Sequence, residues 1–213
     1  MGGNIFDNIL TLKTLFVQKE ALRHNHQPKV LPHRESEVKE ISLNLVEALK
    51  GHIPSNMILY GVTGAGKTAV TNYVCEELQS KGAQIGRVVQ PVLVNCRKID
   101  TQYRVLSHLG NTLLESHEKS DIPFTGWPTD RVFNELVKRM DARGGVYVIV
   151  LDEIDHLVKK AGDDLLYNLT NLNTELKNAR ACVIGISNDL KFTEFLDPRV
   201  KSRLGQQDII FDP

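Results

Sequence analysis

The sequence has no apolar run approaching the roughly 20 residues that a bilayer-spanning helix requires, and its first residues lack the apolar stretch of a secretory signal. A membrane or secreted protein is therefore not expected. Charge of one sign is also missing: 26 Lys and Arg face 26 Asp and Glu, for a formal net charge of zero. No global basic field announces a nucleic-acid ligand, although a local patch would suffice to bind one. Cysteine is scarce. Cys75, Cys96 and Cys182 are far apart in apolar surroundings, which fits reduced, buried thiols and neither a disulfide framework nor a zinc set. The expectation is a soluble, cytoplasmic protein. With 213 residues, it has room for one sizeable α/β core and a short appendage.

What the sequence does have is concentrated at Gly61-Val-Thr63-Gly64-Ala65-Gly66-Lys67-Thr68, a full match to G-x-x-x-x-G-K-[ST]. Glycines let the backbone curl until successive N–H groups face one anion. Lys67 supplies a cation for the β and γ phosphates, and the Thr68 hydroxyl is a magnesium ligand. Chance produces this pattern in a chain of this length on the order of one time in a hundred. The context strengthens it. Residues 56–60 read as a short buried strand, and Val70, Tyr73, Val74 and Leu78 follow at helical spacing, with Lys81-Gly82 as the stop. Strand, glycine loop and helix aim a helix N-terminus at phosphate. Nucleoside triphosphate binding follows.

The remaining chain alternates helices with short, continuously apolar strands, which describes a parallel sheet covered on both faces. Helical spacing appears over residues 5–22, and an extended linker over 23–29. A helix opens at Leu31 to Glu35 with Pro32 in its first turn, and its stripe is Val38, Ile41, Leu45 and Leu49. Strands are expected at Val88 to Val94, Val146 to Leu151, Cys182 to Ile186 and Asp208 to Phe211. Between them lie a helix at Tyr103 to Leu114, a polar loop at 115–128, and a helix capped by Thr129. A further helix sets Leu165, Leu169, Leu172 and Leu176 in register.

Two acids end the Val146-to-Leu151 strand, at the edge where open α/β sheets bind ligands. Asp152 is placed to hold Mg²⁺, and Glu153 to orient and deprotonate a water. A bare strand running into an acidic helix start is the alternative, and the upstream phosphate loop weighs against it. Asn188, after the Cys182-to-Ile186 strand, is a candidate for touching the γ phosphate or the water, against an ordinary Ser-Asn-Asp turn. Arg199 and Arg203 are either a surface patch or a finger that reaches a neighbouring subunit's γ phosphate.

Taken together and in order, Leu31-Pro-His-Arg34-Glu35, Gly61 to Thr68, Val94-Asn-Cys96, Leu151-Asp-Glu-Ile-Asp155, Ile186-Ser-Asn188 and Asp197 to Leu204 resemble the archaeal replication initiators. These are relatives of the origin recognition complex and the cell-division-control helicase loader, within the AAA+ ATPases. The resemblance runs from about Ile5 to Pro213. It implies a P-loop NTPase fold with a central parallel five-stranded sheet, with 1–30 as N-terminal helix and linker and 31–213 as the nucleotide-binding base domain. It implies ATP or ADP with Mg²⁺ as ligands, held by Val30, Leu31, Arg34, Gly61, Thr63, Gly64, Ala65, Gly66, Lys67, Thr68, Ala69 and Asp152. Thr68 and Asp152 would carry the metal, Glu153 would be the base, Asn188 the sensor, and Arg203 the first choice for the finger ahead of Arg199.

The resemblance further implies origin double-stranded DNA, the replicative helicase and other initiator subunits as partners, and residence near the nucleoid. DNA contacts would come from Arg97, Arg104, Thr125, Gly126 and Trp127, with Phe124 and Trp127 as apolar wedges. Against this, residues 97–139 carry seven Lys or Arg and six Asp or Glu, and Trp127 serves equally well as an anchor to the core. Family members continue into a helical lid and a winged-helix domain that this sequence does not contain, so any ATP hydrolysis is expected to be weak. Two other readings remain: a clamp-loader-like or other DNA-remodelling AAA+ motor, and a signalling P-loop ATPase that binds no DNA.

Overall fold

The protein is described by a computed structural model, which covers residues 31–113 and 121–212. The helix expected over 5–22 and the linker after it lie outside the described residues. The chain divides into two compact units, Met1–Leu31 and Pro32–Pro213, and the second carries everything that follows.

Strand β1 (Met57–Gly61) is buried along Met57 to Tyr60, as its unbroken apolar run requires. The others are β2 (Val89–Asn95), β3 (Gly145–Asp152), β4 (Ala179–Ser187) and β5 (Gln207–Phe211). They form one five-stranded sheet in the order β2-β3-β4-β1-β5, with every neighbouring pair parallel. All carboxyl ends therefore emerge along one edge. Cα register pairs Asn95 with Asp152, Asp152 with Ile186, Tyr60 with Ser187, and Gly61 with Phe211. The expected strands are thus present, each within one to three residues of the sequence boundaries.

Helix α1 (Glu35–Lys50) buries Ile41, Leu45 and Ala48 and ends at Gly51 in the left-handed conformation. The Gly51 and His52 N–H groups donate back to Ala48 O and Glu47 O, which satisfies carbonyls the helix end leaves open. Pro32 does not begin this helix. It lies in a turn ahead of it, and Arg34 is the N-cap. Helix α2 (Lys67–Gln84) follows the glycine loop and packs on α1. Gly82 does not stop it, because the helix runs on to Gln84. The Gly82 position faces the Arg87 carbonyl and Val89, where a side chain would crowd the return to β2.

Helices α3 (Gln102–Thr112) and α4 (Thr129–Arg143) pack together beside β2 and β3. Thr129 is the first residue of α4 rather than its cap; Pro128 occupies the cap with no side-chain hydrogen bond. Then come α5 (Ile154–Ala161), α6 (Asp164–Thr170) and α7 (Leu172–Glu175). The expected single helix through Leu165 and Leu176 is broken at Asn171. Thr170 Oγ1 donates to Leu166 O and Tyr167 O, and Asn171 Nδ2 to Tyr167 O, so polar side chains compete with the helix ladder there. Leu165, Leu169, Leu172 and Leu176 are nevertheless all buried. A 3₁₀ turn (Phe192–Phe195) and α8 (Pro198–Leu204), capped by Asp197 through its bond from Arg199 N, lead into β5.

Candidate functional site

Gly61 ends β1 where the chain must turn beneath the last strand. A Cβ there would stand 2.7 Å from Phe211 O and 2.9 Å from Phe211 Cβ, so only glycine lets β1 and β5 stay in register while the loop begins. The turn continues through Gly64 and Gly66, both at positive φ, and α2 starts at Lys67. The first-turn N–H groups of α2, which have no intrahelical acceptor, therefore open onto the sheet's carboxyl edge. There Thr63, Gly64, Gly66, Lys67, Thr68, Ala69, Asp152, Glu153 and Asn188 line one recess of about 290 Å³. Residues from the loop, β3 and the end of β4, up to 125 positions apart in sequence, thus meet in one place.

Lys67 is 5% exposed, and its three ammonium hydrogens have three acceptors: Gly61 O at 2.7 Å, Val62 O at 3.0 Å and Asn188 Oδ1 at 2.8 Å. Burial pushes its pKa down from the usual lysine value, while Asp152 and Asp155 oppose that shift. The Asp152 carboxyl is lifted above the ordinary carboxylate value by burial. The Thr68 hydroxyl, which donates to Asp152 Oδ2 at 3.1 Å, the Glu153 N–H at 3.0 Å, and Lys67 all pull it back. Both charges are held at a cost in the folded chain. Two perturbed groups of opposite charge facing one recess mark it as a candidate functional site.

Glu153 adopts a left-handed backbone conformation (φ 55°, ψ 44°) as the N-cap of α5. A non-glycine residue there carries local strain, and strain of this kind concentrates at functional positions. Behind it, a second recess of about 200 Å³ is lined by Thr63, Arg97, Glu153, Asp155, His156 and Asn188. Arg97 thus lies on the same side of the sheet as Glu153. The sequence placed Asp155 in the Leu151-to-Asp155 motif without giving it a role in the site, and did not single out His156. Asp155 contacts Ser187 Oγ at 3.3 Å and helps hold the charge of Lys67. Its spacing of three from Asp152 on an emerging helix was the available signal.

Arg34 is clamped at the mouth of the loop. Its Nη1 donates to Glu37 at 2.8 Å and Nη2 to Asp212 O at 2.7 Å, its guanidinium lies 5.8 Å from the Phe211 ring centroid, and its Nε sits 3.8 Å from where a Gly66 Cβ would stand. Ala65 is buried beneath the loop. Val30 lies outside the described residues, and Leu31 belongs to the first unit.

The arginines of α8 do not line either recess beside the loop. Arg203 Nη1 bonds Asn171 Oδ1, and Arg199 pairs with Asp197 Oδ1 at 3.0 Å beside the Tyr167 ring. Arg104, on α3, is 3.9 Å from Asp100. The segment before α4 is tied down by Asn111, which both accepts from Ile122 N and donates to Ile122 O, and by Tyr103 Oη, which donates to Pro123 O and accepts from Trp127 N. Trp127 packs against the core, with the Arg131 guanidinium 4.0 Å from its ring centroid, whereas Phe124 is 57% exposed. Thr125 and Gly126 are exposed in the same turn. Among the described residues, no helix is long and apolar enough to cross a membrane.

A parallel sheet with a phosphate loop after its first strand, paired acids after its third and an amide after its fourth defines a P-loop ATPase of the AAA+ class. The AAA ATPase domain model matches residues 30–184, and the chain belongs to that family. Within it, the chain is 50% identical to the ORC1-type DNA replication protein of Methanoculleus marisnigri, an alignment covering 98% of this chain and 50% of the relative. It is 47% identical to the ORC1-type protein of Pyrococcus horikoshii, again over 98% of this chain and 50% of the relative. It is also similar to the solved Aeropyrum pernix ORC1 protein in complex with DNA, at 43% identity and a TM-score of 0.80, covering 89% of this chain and 48% of that one. The chain spans about half the length of the curated relatives it matches.

Proposed function

We propose that this chain is the nucleotide-binding part of an ATP-dependent DNA replication initiator, in which bound ATP is a switch reset by slow hydrolysis. The observation that carries the reading is the convergence of Lys67, Thr68, Asp152, Glu153 and Asn188 in one recess at the carboxyl edge of the sheet. The glycine-loop amides and Lys67 receive the phosphates, and Arg34 borders the nucleotide on the side of β5. Thr68 Oγ1 and Asp152 Oδ2, already in contact, are hard oxygen donors that suit Mg²⁺. When bound, the ion would neutralise phosphate charge. Glu153 orients and deprotonates the attacking water, and Asn188 registers the γ phosphate. Arg203, with Arg199 second, acts on the site of a neighbouring initiator subunit, which fits their absence from the lining of their own recess.

Origin double-stranded DNA is the proposed macromolecular ligand, and the replicative helicase the proposed downstream partner. Support comes from the similarity to ORC1-type relatives, one of which was solved with DNA. DNA contact is assigned to the segment between α3 and α4, at Thr125, Gly126 and Trp127 with the exposed Phe124, and to Arg104 and Arg97 beside it. The proposed place of action is the archaeal cytoplasm, at the nucleoid.

The test pairs two variants with one footprint. Glu153→Gln should hold Mg-ATP with wild-type affinity and lose hydrolysis, and Lys67→Ala should lose nucleotide retention. Unchanged hydrolysis in Glu153→Gln would remove the assignment of the base. Nuclease footprinting of the full-length protein should show ATP-sensitive protection of a repeated sequence, and its absence would favour an ATPase without DNA.

A further inference from the structure

The amino-terminal edge of the sheet, opposite the phosphate loop, carries a further cavity of about 320 Å³. Two guanidinium groups from separate elements border it: Arg87, just before β2, and Arg180, at the start of β4. No carboxylate lines it, in a chain whose charges balance overall. The nearby acids are occupied. Asp141 accepts from the N–H groups of Lys177, Asn178 and Ala179, and Glu47 pairs with Lys50 and His52.

The cationic groups, in contrast, have hydrogen-bonding capacity to spare. Arg180 is fixed through Nη1, which donates to Lys177 O at 3.1 Å and Ala179 O at 2.7 Å, leaving its Nε and Nη2 without partners among the described residues. Arg87 forms no side-chain hydrogen bond or ion pair among the described residues, and its Nη1 lies 3.5 Å from where a Gly51 Cβ would stand. Bare backbone lets that guanidinium approach: Gly51 and Gly145 both face the cavity at positive φ, and at Gly145 a Cβ would strike Val88 O at 2.5 Å. The Asn178 amide adds a neutral polar group, and Val88 an apolar wall.

We propose that this cavity is a second anion site, which binds a phosphate group between Arg87 and Arg180. Planar guanidinium forks match phosphate oxygens bidentately, and two of them from separate elements neutralise a dianion that one alone would hold loosely. The C-terminus of α1 ends at Gly51 and offers partial negative charge that the Arg87 guanidinium balances. An anion bound there is held by the arginines and not by any helix dipole. The shared chemistry is a phosphate ester, either of a free phosphorylated metabolite or of a DNA backbone. The site is separate from the phosphate loop, and the observations that carry it do not depend on the function proposed above.

The experiment uses the whole chain carrying Lys67→Ala, which silences the loop, and follows backbone amides by ¹⁵N NMR during titration with sodium pyrophosphate and, separately, a short DNA duplex. Shifts at Gly51, Gly86, Gly145 and Asn178, saturating at roughly millimolar concentration or below, are expected with at least one probe. Pyrophosphate alone would assign a free phosphorylated ligand, and duplex alone a phosphodiester. Arg87→Ala, which removes no existing hydrogen bond, should weaken the response about tenfold, and Arg180→Lys, which keeps the charge but loses the fork, by less. The proposal is overturned if neither probe moves these amides, if shifts are confined to 61–69, or if the response persists unchanged in the Arg87→Ala, Arg180→Lys double variant.

Discussion

Lys67 Nζ donates to Asn188 Oδ1 at 2.8 Å, joining the phosphate loop to the end of β4 across two positions 121 residues apart. The other two acceptors of Lys67 are carbonyls of its own loop, so Asn188 is the partner that a phosphate displaces with least backbone movement. Under the function proposed above, nucleotide arrival would release Asn188 from Lys67 and let the side chain turn its Nδ2 donor toward a γ phosphate. Asn188→Ala should leave ATP affinity within about tenfold, since the lost bond belongs to the empty site, but should lower hydrolysis about a hundredfold, as removal of a positioned polar group at a reacting centre does. Equilibrium binding and single-turnover hydrolysis check this. Loss of binding as severe as in Lys67→Ala would contradict it.

A pH effect follows from Asp152. Its folded-state carboxyl sits above the ordinary value, chiefly through burial, so the folded chain binds the proton more tightly than the unfolded one does. A raised carboxyl contributes nothing unfavourable at low pH, where both states are protonated, and its ionisation destabilises the fold as pH rises through the unfolded value near 3.8. Asp152→Asn keeps an acceptor oxygen for the Glu153 N–H, turns its Nδ2 toward the Thr68 hydroxyl oxygen and removes the charge, so it should raise the melting temperature at pH 7 and lose that advantage toward pH 3. The same variant should lose the magnesium dependence of nucleotide binding. Melting curves between pH 3 and 8 decide the first point, and a Tm lowered by the substitution at pH 7 would count against the account.

The close approach of Gly61 to Phe211 makes a structural prediction. Gly61→Ala places a methyl group against Phe211 O and Cβ, so β1 and β5 must separate or the loop must shift. A loss of about 2–3 kcal/mol is expected from overpacking against backbone. Urea unfolding should show a lower midpoint at unchanged slope. Nucleotide affinity should fall as well, because the displaced residue opens the loop.

The thiols give a further check. Burial pushes Cys75 and Cys96 up to about 12, and lifts Cys182 further still. All three are buried and unpaired with one another. A thiol reagent at pH 8 should find essentially none of them in the folded chain within minutes and all three in guanidinium, because the thiolate is the reactive form. Rapid modification of the native chain would show that the core opens far more readily than its packing implies.

These features differ in how far sequence exposes them. The strands of the central sheet were legible because buried parallel strands are continuously apolar, and Gly61 to Thr68 because phosphate geometry dictates its spacing. Asp152 and Glu153 were legible as a strand end. The break at Asn171 was not, since the leucine register of 165–176 is the same for one helix or two, and only the side-chain bonds of Thr170 and Asn171 decide it. The helix stop expected at Gly82 failed for a related reason: that glycine answers to the Arg87 carbonyl and Val89 rather than to helix termination. Nor does spacing reveal that Lys67 donates to Asn188, or that Arg87 and Arg180 border one cavity at the opposite edge, because both are consequences of strand order.

The segment between α3 and α4 separates anchoring from contact. The Trp127 ring is packed against the core beneath Arg131, and its backbone N–H donates to Tyr103 Oη, so this residue holds the segment in place. Phe124, 57% exposed three residues earlier, has no such duty. Trp127→Ala should therefore cost about 1–3 kcal/mol, less than a fully buried tryptophan because the ring is only partly covered. Phe124→Ala should change stability by no more than about 0.5 kcal/mol. If this segment meets DNA as proposed, an exposed aromatic side chain inserted at a base step contributes on the order of 1–3 kcal/mol, so Phe124→Ala should weaken duplex binding roughly tenfold or more with the fold intact. Denaturation and fluorescence anisotropy on the same samples separate the two roles. Unchanged DNA affinity in Phe124→Ala, with weakened affinity only where stability also falls, would assign the whole segment to structure and move the DNA surface elsewhere.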